Sequence, residues 1–209
     1  MIYSFGHLSL HQYLLGPMNN FVYLLCDSLS HTAWIIDVAW DVPFLLSELT
    51  KNNLNPLGVL LTHGHPDHTN GIPEFVDQFP DLPIYISSEE LPLFMPKISQ
   101  LVFFQHEVPL MIGQEPITII PTPGHSPGSV CITSNDILIT GDTLFVEGHG
   151  RTDLPGSSAA QLANSLSHIS HLSDNLSVFA GHHYGRRKTD TLGVLKEKNK
   201  SLRNIIYPK

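Results

Sequence analysis

Short apolar runs alternate with longer amphipathic stretches along most of this chain of 209 residues. Nine of the apolar runs are short and rich in Val, Ile, Leu or Tyr, as is typical of strands. The predicted strands are residues 21–26, 33–38, 57–62, 83–87, 102–105, 116–122, 129–134, 136–140 and 176–180.

Four amphipathic stretches are predicted to be helices. They are residues 41–52, 72–79, 157–172 and a basic C-terminal helix at about 189–206. The first has Asp41 as a candidate N-cap, and the third places Leu162, Leu166 and Ile169 on one face that can pack on a sheet. Strands that first cluster and then alternate with helices predict a single layered α/β domain over residues 1–209.

Charge is unevenly distributed along the chain. Residues up to Gly185 include three basic and 17 acidic side chains, whereas those from Arg186 onward include eight basic and two acidic ones. The acidic body argues against a nucleic-acid partner, because phosphate binding needs clustered Lys and Arg. No apolar run approaches the roughly 20 residues of a membrane span, and the N-terminus has no basic leader, so we expect no membrane partner and a cytoplasmic location. Cys26 and Cys131 lack CxxC spacing and are predicted to be reduced thiols.

A histidine-rich motif, THGHPDH, directly follows the apolar run 59–61. The pattern HxHxDH is expected by chance roughly 0.003 times in a chain of this composition, so packing is a poor explanation for it. Alternate residues of an extended loop point the same way. His63 and His65 can therefore chelate one metal ion while Asp67 and His68 reach toward a neighbouring one.

Two ions need further ligands from elsewhere in the chain. Three candidates each follow a glycine at the end of an apolar run, and they are His125, Asp142 and His182. A glycine lets the backbone turn sharply there and approach other groups closely. A single Gly-His or Gly-Asp pair is weak evidence for a ligand. Because all three pairs lie at the ends of apolar runs, together they indicate one site.

These motifs, in this order, resemble the metallo-β-lactamase superfamily, in particular its glyoxalase II-like (hydroxyacylglutathione hydrolase-like) branch. The resemblance runs from about Asn20 to about Lys200 and rests on HxHxDH, a later Gly-His, Gly-Asp-Thr-Leu-Phe and Gly-His-x-Tyr. It implies an αββα sandwich, in agreement with the layered α/β domain. It also implies that the first ion is held by His63, His65 and His125, the second by Asp67, His68 and His182, and that Asp142 bridges both.

The segment GHGRTD looks like both the short glyoxalase II-like proteins and the persulfide dioxygenases, which use one iron on the same scaffold. In both groups a basic residue at the position of Arg151 and a tyrosine at that of Tyr184 lie near the thiol-bearing substrate. A plain salt bridge from Arg151 to Asp153 or Glu147 is the alternative. Metallo-β-lactamases proper usually carry Cys at the position of Asp142, which disfavours antibiotic hydrolysis.

The resemblance therefore predicts a metal-dependent hydrolase with two divalent ions, zinc being favoured over iron or manganese. A hydroxide generated on the ions would attack the substrate carbonyl, and Asp67 would orient it as well as bind metal. The predicted substrate is a small thiol-derived molecule, a thioester of the acyl-glutathione type, because a thiolate leaves without a strong general acid.

Two other functions stay open. A persulfide dioxygenase acting on glutathione persulfide would hold one Fe(II) with His63, His125 and Asp142, since two histidines and a carboxylate suit non-haem iron. A non-catalytic metal-binding protein would use the basic tail for interaction. Four histidines outside any motif are predicted to be ordinary surface or core residues: His7, His11, His31 and His106.

Overall fold

The computed structural model describes residues 1–94, 96–104 and 109–208. The chain forms two compact units, Met1–Ile117 and Thr118–Lys209. The boundary between them lies inside a strand, Glu115–Pro121. Gln105, at the end of a predicted strand, and His106 lie outside the described residues.

The first unit contains a seven-stranded sheet whose strands lie side by side in chain order. They are β1 (Ile2–Phe5), β2 (Leu8–Leu15), β3 (Asn20–Asp27), β4 (Thr32–Ile36), β5 (Asn55–Leu60), β6 (Ile84–Ile86) and β7 (Leu101–Phe103). Strands β1 to β4 pair antiparallel, and β4 to β7 pair parallel. The later strands are parallel because a helical segment after each strand returns the chain to the end of the sheet at which that strand began.

Three helices and a 3-10 turn accompany this sheet: α1 (Val42–Lys51), α2 (Pro66–Thr69), α3 (Ile72–Gln78) and Ser88–Glu90. Helix α1 begins as predicted, because the side chain of Asp41 accepts the N–H of Phe44 at 3.2 Å. Buried side chains of α1 and α3, such as Leu45 and Phe75, join those of β5 in one hydrophobic cluster. A short strand, β8 (Leu110–Ile112), completes the unit and pairs with the start of β9 (Glu115–Pro121).

After the end of β9, the second unit contains β10 (Val130–Ser134), β11 (Ile137–Gly141), α4 (Ala159–Ser170), β12 (Ser177–Ala180), β13 (Thr189–Thr191), α5 (Leu192–Lys198) and α6 (Lys200–Ile206). Its strands belong to a six-stranded sheet with the order β13-β12-β11-β10-β9-β8. Strands β11 and β12 are parallel and are connected through α4, which buries Leu162, Leu166 and Ile169 as predicted. None of the helices in the described ranges has the length and apolar character needed to cross a bilayer.

The structure confirms helix over most of the basic C-terminal stretch predicted at about 189–206, but not as one continuous helix. Residues 189–191 form β13, and the remainder is two helices separated at Asn199, whose backbone is extended. The Asn199 side chain accepts the N–H groups of Ser201 and Leu202 and so caps α6. Its amide donates to the carbonyls of Phe145 and Gly148, both at 2.9 Å. This buried side chain stabilises the break because it accepts from the first N–H groups of α6 and ties them to carbonyls of the segment 145–148.

The two cysteines are free thiols, as predicted. Cys26 lies in β3 and Cys131 in β10, and both are buried. Burial raises the pKa of each thiol to about 12, because the thiolate would lose its solvation by water.

Candidate metal centre

The HxHxDH motif begins in the loop after β5, which ends at Leu60, and continues into the short helix α2. The ring centroid of His63 lies 4.8 Å from that of His65 and 4.2 Å from that of His68. The Nε2 atom of His68 is 3.5 Å from Oδ2 of Asp67. We call these four residues the N-terminal ligand group, since each offers an imidazole nitrogen or carboxylate oxygen to a metal ion.

A buried carboxylate, that of Asp37, orients His68. Asp37 follows β4 with a φ of 58°, and it is only 2% exposed. It accepts a hydrogen bond from His68 Nδ1 at 2.9 Å and from the N–H and hydroxyl of Thr62 at 2.8 and 2.7 Å. Because an ionised carboxylate can only accept, Nδ1 of His68 carries the proton and Nε2 presents its lone pair. This tautomer is the one that can bind a metal ion through Nε2.

Buried polar side chains also fix the backbone and the carboxylate of the motif. The amide of Asn20 donates to the carbonyl oxygen of Asp67 at 3.1 Å and to its Oδ2 at 3.0 Å. The indole N–H of Trp40 donates to Oδ1 of Asn20 at 3.0 Å. The N–H of Gly64 donates to a carboxylate oxygen of the buried Glu90 at 2.7 Å. The motif is therefore held at both its start and its end.

In the second unit, the carboxylate of Asp142 lies between two imidazoles. Asp142 and His182 follow the neighbouring parallel strands β11 and β12, and His125 follows β9. The Oδ2 atom of Asp142 is 3.5 Å from Nε2 of His125 and 3.3 Å from Nε2 of His182. These three buried residues form the C-terminal ligand group.

The two histidines of this group are held by different contacts. Nδ1 of His125 donates to the backbone carbonyl of Arg151 at 2.8 Å, so its Nε2 presents a lone pair. The ring of His182 stacks on that of Tyr184, with centroids 4.6 Å apart and an angle of 6°, and Phe145 packs edge-on against it. The position of each ring is therefore set by the surrounding chain.

The spacing of the ligand atoms fits a divalent ion. The three histidine-to-aspartate distances of 3.3 to 3.5 Å are longer than a charge-assisted hydrogen bond of about 2.7 to 2.9 Å. They match the edge of about 3.4 Å that a tetrahedron has when its metal–ligand bonds are about 2.1 Å. Imidazole nitrogens with carboxylates suit Zn²⁺, Fe²⁺ or Mn²⁺, whereas Mg²⁺ and Ca²⁺ prefer oxygen ligands throughout. The donor set of each group therefore fits the predicted kind of metal.

The two predicted substrate residues differ in their surroundings. Nε and Nη2 of Arg151 each donate to an oxygen of Asp153 at 2.7 Å, and both side chains are largely exposed. This is the salt bridge that the sequence left as the alternative role of Arg151. Tyr184 is 44% exposed and stacks on the buried ring of His182, so its own ring extends from His182 to the surface. Substrate binding by either residue remains a prediction.

The histidines without a motif have ordinary surroundings in the described part of the chain. His7 lies 3.4 Å from a carboxylate oxygen of Glu115, and His11 is buried with its Nδ1 atom 3.3 Å from the Tyr13 hydroxyl. His31 is an exposed turn residue. These contacts agree with the structural or surface roles expected for them.

Gly124, immediately before His125, cannot carry a side chain without strain. Its φ is +143°, and an added Cβ would lie 2.3 Å from the backbone nitrogen of Leu162. We expect Gly124→Ala to reduce the free energy of unfolding by about 3 kcal/mol, as measured by urea denaturation, because backbone strain and overpacking add. Gly6→Ala is the control, since Gly6 also has a positive φ but nothing within 4 Å. Equal losses in both variants would contradict the role of the Leu162 contact.

Sequence reasoning missed three residues that contact the HxHxDH motif and fix its candidate ligands, namely Asp37, Asn20 and Glu90. Asp37 lies inside the predicted strand 33–38, where a charged residue among apolar ones was a usable signal. Asn20 directly precedes the predicted strand 21–26, and Glu90 lies in a polar turn, so neither stood out. Their partners are distant in sequence, and a motif cannot reveal such contacts.

Comparison with known proteins gives the chain its family. Residues 15–182 match the family model of the metallo-beta-lactamase superfamily. A hydroxyacylglutathione hydrolase from Hamiltonella defensa subsp. Acyrthosiphon pisum is 34% identical over 166 residues, which are 79% of this chain and 63% of that protein. The probable polyketide biosynthesis zinc-dependent hydrolase BaeB from Bacillus velezensis is 30% identical over 190 residues, 90% of this chain and 81% of that protein.

Solved structures agree with this assignment. The crystal structure of BLEG-1 B3 metallo-beta-lactamase matches with a TM-score of 0.80 and 30% identity, covering 92% of this chain and 99% of that one. The predicted metallo-β-lactamase fold, with its two sheets and helices, is confirmed. Since the family model extends over both ligand groups and the fold agrees, the chain belongs to the metallo-β-lactamase superfamily.

Proposed function

We propose that the chain is a metal-dependent hydrolase that holds two divalent ions with its two ligand groups. In this proposal His63, His65 and His125 would hold the first ion, Asp67, His68 and His182 would hold the second, and Asp142 would be a ligand of both. The observation that carries the proposal is the Oδ2 atom of Asp142, which lies 3.5 and 3.3 Å from two imidazole nitrogens. The two histidines are assigned to different ions. A carboxylate that bridges two ions must lie between ligands of both, as this oxygen does.

The residues of the chain supply the orientation that this chemistry needs. When bound, divalent ions lower the pKa of water and polarise a carbonyl oxygen. Asp37 keeps the proton of His68 on Nδ1, and the Arg151 carbonyl does the same for His125, so both Nε2 atoms remain available. Asp67 is the carboxylate of its group with solvent contact, its side chain being 18% exposed. It therefore also serves to orient the attacking water.

A thioester is the proposed substrate class. A thiolate leaves without a strong general acid, so ligands that orient water are sufficient for the reaction. The Hamiltonella relative supports acyl-glutathione as the substrate, and the name of the Bacillus relative supports zinc. Tyr184, stacked on His182 and exposed, is placed to contact the thiol-bearing part. Arg151 would bind a substrate carboxylate by exchanging its exposed pairing with Asp153, which is worth little in water.

The proposal is tested by metal analysis of the purified protein together with parallel activity assays. We expect about two metal ions per chain and release of thiol from an acyl-glutathione. Acyl thioesters of other thiols and a β-lactam serve as comparison substrates. One iron per chain with oxygen uptake on glutathione persulfide would instead identify a dioxygenase. Metal binding without any turnover would favour the non-catalytic alternative.

Removal of the ions gives a separate prediction. Dialysis against a chelator is expected to abolish thioester cleavage and to lower the unfolding temperature, because the ions bind the folded chain. Added Zn²⁺ should restore both activity and thermal stability. Full activity in protein shown by mass spectrometry to be metal-free would contradict the proposal.

A further inference from the structure

Asn20, the first residue of β3 after the β2–β3 hairpin, donates hydrogen bonds to Asp67 of the HxHxDH motif. We propose that Asn20 is a positioning residue that fixes the Asp67 carboxylate for metal binding, with Trp40 determining which way the Asn20 amide points. This inference rests on the proposed function, because it takes Asp67 as a ligand.

The geometry of Asp67 explains why it needs such a partner. Asp67 lies on α2, a helix of four residues, and its side chain is 18% exposed, whereas that of the adjacent His68 is fully buried. A carboxylate in that position has rotamer freedom that the short helix does not remove. The Asn20 amide contacts Asp67 at two places, the carbonyl oxygen at 3.1 Å and Oδ2 at 3.0 Å. One rigid amide group thereby fixes both the backbone and the side chain of Asp67.

The hydrogen bonds from Asn20 hold Oδ2 of Asp67 at a position suited to a metal ligand. The same Oδ2 atom that accepts from Asn20 lies 3.5 Å from Nε2 of His68, at the tetrahedral edge distance. Asp37 sets the imidazole side of this pair, and Asn20 sets the carboxylate side. The two ligand atoms are thus placed by separate buried partners.

Trp40 removes the ambiguity in the Asn20 amide. An asparagine offers an oxygen and an NH₂ group of nearly the same shape, so its function as a donor depends on its orientation. The indole N–H can only donate, and it contacts Oδ1 of Asn20 at 3.0 Å, which turns Nδ2 toward Asp67. The indole lies against Gly16 of the hairpin, where an added Cβ would be 2.2 Å from its Cδ1 atom. Gly16 therefore allows Trp40 to occupy this position.

Two substitutions at position 20 separate the donor role from a packing role. Asn20→Ala removes the amide, and Asn20→Asp keeps the shape and the acceptor for Trp40 but places an oxygen where Nδ2 donates to Asp67. We expect the affinity for the second Zn²⁺, measured by competition with a chromogenic chelator, to fall about 10- to 100-fold in Asn20→Ala. The loss in Asn20→Asp should be at least as large, because two carboxylates then face each other. Trp40→Phe should show a smaller loss in the same direction.

The neighbouring Asn19 provides the control. It is exposed and has a φ of 56°, so Asn19→Gly is expected to leave zinc affinity unchanged. The unfolding temperature of each metal-free variant is measured alongside. If Asn20→Ala fails to fold, the zinc affinity of Asn20→Asp tests the donor role of Asn20.

The possible results distinguish the role of Asn20 from the proposed function. Wild-type zinc affinity retained in Asn20→Asp would overturn the inference, as would a loss explained by a matching fall in the stability of the metal-free protein. Absence of metal binding by the wild-type chain would overturn the proposed function instead.

Discussion

Asp142→Asn is expected to yield a folded protein that has lost at least one metal ion and more than about 100-fold of its kcat. Loss of a partner that merely orients a ligand costs about 10- to 100-fold, and Asp142 is assigned as a ligand to both ions. Asparagine preserves the side-chain shape, and the backbone carbonyl of residue 142 still accepts from Gly150. The free energy of unfolding of the metal-free protein should therefore change by no more than about 1 kcal/mol.

Mass spectrometry measures the metal content, steady-state assays measure kcat, and urea denaturation measures the free energy of unfolding. The control is Asp77→Asn, because Asp77 is an exposed residue of α3 outside both ligand groups. Two ions per chain with undiminished kcat in Asp142→Asn would refute the bridging role.

The second large effect is expected at Asp37. Asp37→Ala removes the acceptor for Thr62 N–H, for its hydroxyl and for His68 Nδ1. Each buried donor left without an acceptor costs about 1–3 kcal/mol, so we expect a loss of roughly 3–6 kcal/mol in the free energy of unfolding. That is a large share of the 5–15 kcal/mol by which domains are typically stable. Urea denaturation with the metal-free protein measures it.

Asp37→Asn distinguishes orientation of His68 from stability. The asparagine keeps the shape but presents one donor in place of an acceptor, so it can move the His68 proton from Nδ1 to Nε2. We expect a 10- to 100-fold loss of affinity for the second ion while the protein remains folded.

Asp27→Asn is the matched control for this effect. Asp27 is equally buried and accepts from Ser30 and Leu29, but it belongs to neither ligand group. Loss of metal affinity in both variants would show a general effect of stability rather than a specific one on His68.

Much of the fold could be predicted because its signals are local. Each of the nine predicted strands corresponds to a strand in the described residues. The N-cap role of Asp41 and the apolar face of α4 could also be predicted from the local sequence. The candidate ligands were found in the sequence by a similar local signal, since each follows an apolar run that ends in a loop, and their metal binding stays a prediction. Strands β1, β2, β8 and β13 were missed. Three of these are only three or four residues long, and their pairing depends on distant partners.

The contacts that orient the candidate ligands could not be predicted from the local sequence pattern. Asn20 and Asp67 are separated by 47 residues, and Asp37 and His68 by 31. The break at Asn199 has the same origin, since the carbonyls that its amide contacts lie more than 50 residues earlier in the chain. A helical periodicity over 189–206 contained no sign of those partners.

The burial of Cys26 and Cys131 has a practical consequence for measuring the reaction. A thiol-specific colour reagent reacts with thiolate, and at neutral pH a buried group with a pKa of about 12 supplies almost none. The reagent can therefore remain in the cuvette during turnover, and the colour will report the thiol released from substrate. Adding denaturant should then expose two further reactive thiols per chain, which gives a direct count of unfolded molecules in the same sample.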